Sequence, residues 1–310
     1  MTIRPATNLH MSLLEWALLL ILSLLWGGAF LFGTIALAEM PPFTIVFCRV
    51  ALAAIALILI AVVTRQKILV GGNVWLIFVA LGALSITLPS ALMLWSQTHI
   101  GIGRTSLLAA TSPLFTVVVA HFFTSDEKMT AGRLFGIILA TAGVAVAMEP
   151  SVSDGGNNLL AEFAVLGAAL CQALAGVLAR RLKQMPVLSV AIGQLFAASL
   201  LSLPLALAFE RPWALAPPSA ITWAAILAVA ILSTALGYLI FFRLLARSGA
   251  VNVALVSLLV PVTALFLAGL ILEESLNWRI FAGAALISCG LAALDKRISL
   301  LMWWNIIKKR

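Results

Sequence analysis

Ten stretches of about twenty mostly apolar residues follow one another along this chain, each long enough to carry a helix across a bilayer core. They lie at approximately 15–38, 42–63, 73–97, 103–123, 131–149, 159–179, 187–209, 219–242, 250–272 and 277–294. The breaks between them hold charges or turn formers, as at Thr64-Arg65-Gln66-Lys67, Ser125-Asp126-Glu127-Lys128 and Pro217-Pro218. The narrowest break, Thr98 to Ile102, separates the third run from the fourth. With 63% hydrophobic and only 10% charged residues, and a mean hydropathy of +1.16, the chain cannot clothe a water-soluble surface. The sequence predicts an all-α polytopic membrane protein. It excludes a disordered chain, a disulfide scaffold and a soluble nucleic-acid binder.

An even number of spans puts both termini on one side, and the basic residues choose it. That side receives 15 of the 19 Lys and Arg residues, including Arg65, Lys67, Arg180, Arg181, Lys183 and the run Lys308-Lys309-Arg310. The other side holds Arg49, Arg104, Arg211 and Arg279. Both termini are therefore expected in the cytoplasm, with the chain in the cytoplasmic (inner) membrane. The net charge of +8 reflects this topology and contact with anionic lipid, with no nucleic-acid partner. Arg4 and the small residues Ala36 and Ala38 give the first run some likeness to a secretory signal, but it is too long for a signal's apolar core. Cys48, Cys171 and Cys289 stand isolated in apolar spans and read as packing residues. No Walker loop, HExxH, CxxC or nucleophile elbow appears, so neither an enzyme nor a cofactor or metal is expected.

The chain reads as the same unit twice. Met40-Pro41 aligns with Met185-Pro186 at an offset of 145, which brings Trp26 onto Cys171 and Arg49 onto Gln194. Gly101 meets Gly249 and Pro113 meets Pro261 at 148, and Gly136 and Gly143 meet Gly283 and Gly290 at 147. Five spans per half is an odd number, so the second half must enter the membrane from the opposite side. The expected organisation is a cytoplasmic N-terminus 1–14, a first five-helix repeat 15–149, an external linker 150–158, a second repeat 159–294 and an interfacial tail 295–310. Ten transmembrane helices as two inverted five-helix repeats suit an alternating-access transporter, with substrate held near the midplane.

The chain resembles the drug/metabolite transporter superfamily, in particular its EamA family. The matching features are Trp26-Gly27-Gly28-Ala29-Phe30, then Ser112-Pro113-Leu114-Phe115 followed by Asp126-Glu127 and Gly136. In the second copy, Pro261 is followed by Leu272-Glu273-Glu274 and Gly283, whereas Cys171-Gln172 departs from the Trp-Gly pattern. The resemblance implies export of small metabolites, and the YddG-type amino-acid exporters are the neighbour it points to.

Candidate site residues cluster around the two matched prolines, each about 15 Å into its span. A proline there removes one helical hydrogen bond and weakens the helix, and paired breaks mark transport sites. Thr105, Ala109, Ser112 and Thr116 form one small, weakly polar stripe. Ser90, Met93 and Gln97 occupy a face of the third span, and Thr234, Tyr238 and Phe241 answer from the eighth. The expected cavity set is Trp26, Ser90, Met93, Thr111, Ser112, Pro113, Gln172, Tyr238, Ser257 and Pro261. Such residues also join helices without any ligand. The glycines of spans 5 and 10 read as packing surfaces, within the chain or between chains.

All eleven carboxylates fall at or near span ends, Glu15 among them, and none at the midplane. That disfavours a cation or multidrug exporter, which needs a buried acid. Arg49 is the deepest charge, about 10 Å into span 2. It is a candidate for a substrate carboxylate, and also for snorkelling outward or pairing with Glu39 or another outer acid. The expected substrate is a small neutral metabolite, an amino acid foremost, aromatic or otherwise neutral. Proton exchange and facilitated diffusion both remain open, as do monomer and homodimer. A quaternary-cation exporter and a non-transporting membrane enzyme or assembly subunit stand as alternatives.

Overall fold

The computed structural model describes residues 12–66, 74–123, 131–147, 157–182, 185–241, 243–244, 256–272 and 278–294. Residues 1–11, most of the expected linker and the whole 295–310 tail lie outside them. All regular structure among the described residues is helical. In chain order the helices are α1 (Leu13–Leu37), α2 (Pro42–Val63), α3 (Trp75–Leu81), α4 (Leu88–Ala109), α5 (Ser112–Phe123) and α6 (Ala131–Ala147). They continue with α7 (Asn157–Ala179), α8 (Val187–Leu205), α9 (Ala220–Leu227), α10 (Val256–Ile271) and α11 (Trp278–Leu294). Among the described residues six helical stretches are long and apolar enough to cross a membrane: Leu13–Leu37, Pro42–Val63, Trp75–Ala109, Leu159–Ala179, Val187–Glu210 and Ala220–Phe241. Four shorter apolar helices join them, Ser112–Phe123, Leu134–Val146, Leu259–Ile271 and Trp278–Gly290. Large apolar side chains such as Leu20, Leu59, Phe135, Phe163 and Phe266 are exposed, the arrangement expected where lipid replaces water outside.

The third and fourth runs differ from expectation. No loop separates them at 98–102; the helix passes into a single kinked residue, Gly101, at φ 72° and ψ 173°. That backbone conformation is open to glycine and strained for other residues. Thr105 Oγ1 donates to Gly101 O at 2.7 Å and Ser106 Oγ to Gly103 O at 3.0 Å, so hydroxyls take up carbonyls around the kink. The helix then stops at Ala109 and restarts at Ser112, placing Pro113 in the first turn of α5, where its missing N–H does least harm.

Wide π-helical turns interrupt two further helices, Gly82–Thr87 between α3 and α4, and Ala228–Leu236 after α9. Shifting the first by 148 residues lays it inside the second. Gly82 packs against the α8 backbone, where an added Cβ would lie 2.7 Å from Ala198 N.

The principal helix pairings cross between the halves: α6 with α11, α4 and α5 with α7, α1 with α10, and α2 with α8. Exchanging the halves maps this pattern onto itself. Gly27 allows Thr263 of α10 to approach α1, and Thr263 Oγ1 donates to Ser23 O at 2.8 Å. The glycines of α6 and α11 meet each other within the chain. A Cβ on Gly143 would stand 2.9 Å from Gly283 O, and one on Gly290 would stand 2.6 Å from Gly136 O.

Acids of each half cap helices of the other. Glu210 accepts from Phe43 N (2.8 Å), Thr44 N (2.6 Å) and Thr44 Oγ1 (2.8 Å) at the start of α2. Glu39 accepts from Ser219 N at 2.6 Å, just ahead of α9. Both carboxylates sit where the helix dipole favours negative charge. Glu162 departs from the other acids: it is fully buried in α7 and pairs with Arg104 of α4 at 3.4 Å.

Two predictions follow from this packing. Gly143→Leu and Gly290→Leu force α6 and α11 apart and lower stability by about 1–3 kcal/mol each, measured as a drop in Tm in detergent. Gly132→Leu, placed where nothing lies within 4 Å, leaves Tm unchanged. The second concerns Glu39, whose carboxyl is held below the ordinary value first by the Ser219 N–H and then by the Thr222 and Ser219 side chains. The stabilisation is thus complete above the unfolded carboxyl's pKa and lost as pH falls through the lower folded one. In Glu39→Gln this acid-side loss is smaller than in the wild type, as read from Tm against pH between about 3 and 6.

Candidate functional site

A cavity of about 390 Å³ opens among the helices that carry these irregularities. It falls in the size range of small-molecule sites. Trp26 and Phe30 reach it from α1, Arg49 from α2, Ser90, Met93 and Gln97 from α4, and Ser112 and Pro113 from α5. The second half supplies Gln172 from α7, Ser233, Thr234, Tyr238 and Phe241 from α9 and its continuation, and Pro261 from α10. Of the expected set, Trp26, Ser90, Met93, Ser112, Pro113, Gln172, Tyr238 and Pro261 therefore come together, with Arg49 among them. Thr111 does not: it is 1% exposed, and its Oγ1 donates to Leu108 O at 2.6 Å inside the helix break. The Ser257 side chain lies outside the described residues. Thr105 and Thr116, expected on the same stripe as Ser112, turn to carbonyls of their own chain segment, Gly101 O and Ser112 O.

The two prolines act differently. At Pro113 the missing N–H leaves Ala109 O without its usual helical donor, and Leu114 N donates to Thr111 O instead of Ala110 O. Ala109 and Ala110 both line the cavity. Pro261 stands inside the continuous helix α10, with no break among the described residues around it.

Arg49 neither snorkels nor joins the outer acids. Its Nε donates to Thr234 Oγ1 at 2.9 Å, and that hydroxyl donates onward to Val229 O at 2.8 Å, five residues back. The π-helical turn creates this five-residue reach. The Tyr238 hydroxyl bonds with Gln194, the residue that the 145 offset sets opposite Arg49. Thr34 Oγ1 donates to Gln97 Oε1 at 2.9 Å, fixing that amide at the wall. Trp26 packs on Phe241 with ring centroids 5.5 Å apart and lies over Gly237, where a Cβ would come within 2.8 Å of Trp26 Nε1. Aromatic and thioether groups thus wall one part, and amides, hydroxyls and one guanidinium the rest. Among the described lining residues Arg49 is the one charged side chain.

Sequence reasoning missed Ser85, Ser106 and Ser233, which also line the cavity. A signal for two of them was present: the 148 offset sets Ser233 opposite Ser85. Among the described residues no group of three or more His, Cys, Asp or Glu is arranged to hold a metal ion.

Comparison with known proteins adds four findings. The EamA-like transporter family matches residues 14–148 and again 159–294. A probable amino-acid metabolite efflux pump of Salmonella typhimurium is 30% identical over 91% of this chain and 94% of its own. An uncharacterised transporter of Bacillus subtilis, YoaV, is 24% identical over 87% of this chain and 92% of its own. A solved crystal structure covering 93% of this chain and 98% of its own superposes with a TM-score of 0.68 at 18% identity, a likeness of fold.

Cysteine labelling tests the lining without knowledge of the substrate. In a chain freed of Cys48, Cys171 and Cys289, Ser90→Cys and Ser112→Cys react with a small methanethiosulfonate, and Thr111→Cys stays at background, as read by mass spectrometry.

Proposed function

Because the chain belongs to the EamA-like transporter family, we propose that it exports small neutral metabolites, amino acids foremost, by alternating access around the central cavity. It is a multi-pass membrane transporter. The reading takes the chain as ten spans in two inverted repeats, 15–149 and 159–294, in the cytoplasmic membrane with both termini inside. The double family match, the exchange-symmetric helix pairings and the paired π-helical turns support the repeat. The asymmetry of basic residues supports the orientation.

One observation carries the substrate class. Among the described residues, the cavity lining holds a single guanidinium, no carboxylate, and otherwise neutral polar, aromatic and aliphatic groups. A net-neutral zwitterion meets its carboxylate's counter-charge at Arg49, and its ammonium meets amide, hydroxyl and carbonyl oxygens. A quaternary cation has no anionic partner there. Glu15, the acid a cation exporter would need, is occupied in a capping box with Ser12 at the start of α1: Ser12 N donates to its Oε2 at 2.8 Å. The amino-acid efflux named for the Salmonella relative agrees with this chemistry. With no carboxylate among the described lining residues to carry a proton, the reading has transport run down the substrate's own gradient.

Counterflow in proteoliposomes tests the reading. Leucine and phenylalanine give signal without ion gradients, choline gives none, and Trp26→Ala lowers the rate at least tenfold. Counterflow with choline alone overturns the substrate class, and flux that collapses when only the pH gradient is removed overturns uncoupled carriage.

A further inference from the structure

One corner of the cavity holds donors that the described residues leave uncommitted. Thr234 Oγ1 accepts from Arg49 Nε and donates to Val229 O, so its hydrogen and one lone pair are engaged. This fixes the guanidinium through Nε and leaves its two terminal nitrogens as the edge that faces other partners. The outer acids Glu39 and Glu210 are committed elsewhere, Glu39 to Ser219 and Glu210 to Phe43 and Thr44. Beside Thr234, Ser233 is a lining residue that is 1% exposed, and its buried hydroxyl has no hydrogen-bond partner among the described residues. A buried hydroxyl without a partner is unfavourable, and a ligand that accepts from it relieves the penalty.

The opposite corner, related by the repeat, lacks these features. There Ser85 donates to Leu81 O at 2.6 Å, Ile86 replaces Thr234, and Gln194 replaces Arg49. The polarity of the cavity is thus one-sided, and a ligand with one anionic end has one place to put it.

Resting on the amino-acid reading of the cavity, we propose that Arg49 and Ser233 form a carboxylate subsite. The terminal nitrogens of Arg49 grip the two oxygens of the substrate carboxylate, and Ser233 Oγ donates a further hydrogen bond to one of them. Thr234 is a positioning residue that holds the guanidinium in place. The subsite makes a free carboxylate the requirement for carriage: an amide presents an N–H₂ group to a guanidinium that can only donate, and a decarboxylated amine presents nothing.

The test is counterflow of the full-length chain in proteoliposomes with L-leucine, L-leucinamide and 3-methylbutylamine. The wild type carries leucine with a KM at least tenfold below that of the amide. Ser233→Ala raises the leucine KM roughly tenfold, as expected for losing a hydrogen bond to a charged group, with kcat within twofold, and narrows the acid-to-amide ratio. Thr234→Val narrows it in the same direction, and Thr234→Ser restores it. Leucine kinetics in Ser233→Ala equal to the wild type, or equal losses with all three probes, overturn the subsite and leave the amino-acid reading standing. A wild type that carries the amine and amide but not leucine, or none of the three, overturns both.

Discussion

A bilayer offers the backbone no water, so every N–H and C=O in it must find a partner inside the protein. That constraint governs where this chain departs from regular helix. The kink at Gly101, the break at Ala110–Thr111 and the π-helical turns at Gly82–Thr87 and Ala228–Leu236 are flanked by buried residues. Hydroxyls beside them take up displaced carbonyls: Thr105 at Gly101, Ser106 at Gly103, Thr111 at Leu108, Thr234 at Val229. These four irregular segments lie in the interior, and residues from each of the last three line the cavity.

The same constraint ties the two halves together. Neither half closes the cavity alone, since its lining comes from both. Glu39 of the first half caps the start of α9, and Glu210 of the second caps the start of α2. Arg49 of α2 is held by Thr234 of the other half. Away from the cavity, glycine faces seat α6 directly on α11. Polar contacts thus link the halves around the cavity, and close apolar packing links them beside it.

Much of the cavity was legible in the sequence. Trp26, Ser90, Met93, Ser112, Pro113, Gln172, Tyr238 and Pro261 were selected by depth and by the repeat, and the fold brings them together. Internal alignment succeeds because duplicated helices keep equivalent depths and faces. Helical periodicity fails at Thr111, which a two-residue break turns back onto Leu108 O, and at Ser233, which the offset pairs with Ser85 but which stands in a π-helical turn that 3.6-residue periodicity does not register. Glu162 looked like an ordinary span-end acid, yet its position against Arg104 buries it completely.

By itself the sequence determined a helical membrane chain of the EamA type, its charge asymmetry and the offsets at which its two halves align. These depend on hydropathy, residue counts and spacing, which are local or additive along the chain. Only the tertiary structure decided that Arg49 turns inward to Thr234 and not outward to Glu39, that the α6 and α11 glycines meet within one chain, and that the third and fourth runs join at Gly101 without a loop. Each of these depends on what stands opposite a residue across a helix interface. Contacts between residues more than a hundred positions apart leave no periodic trace in either segment.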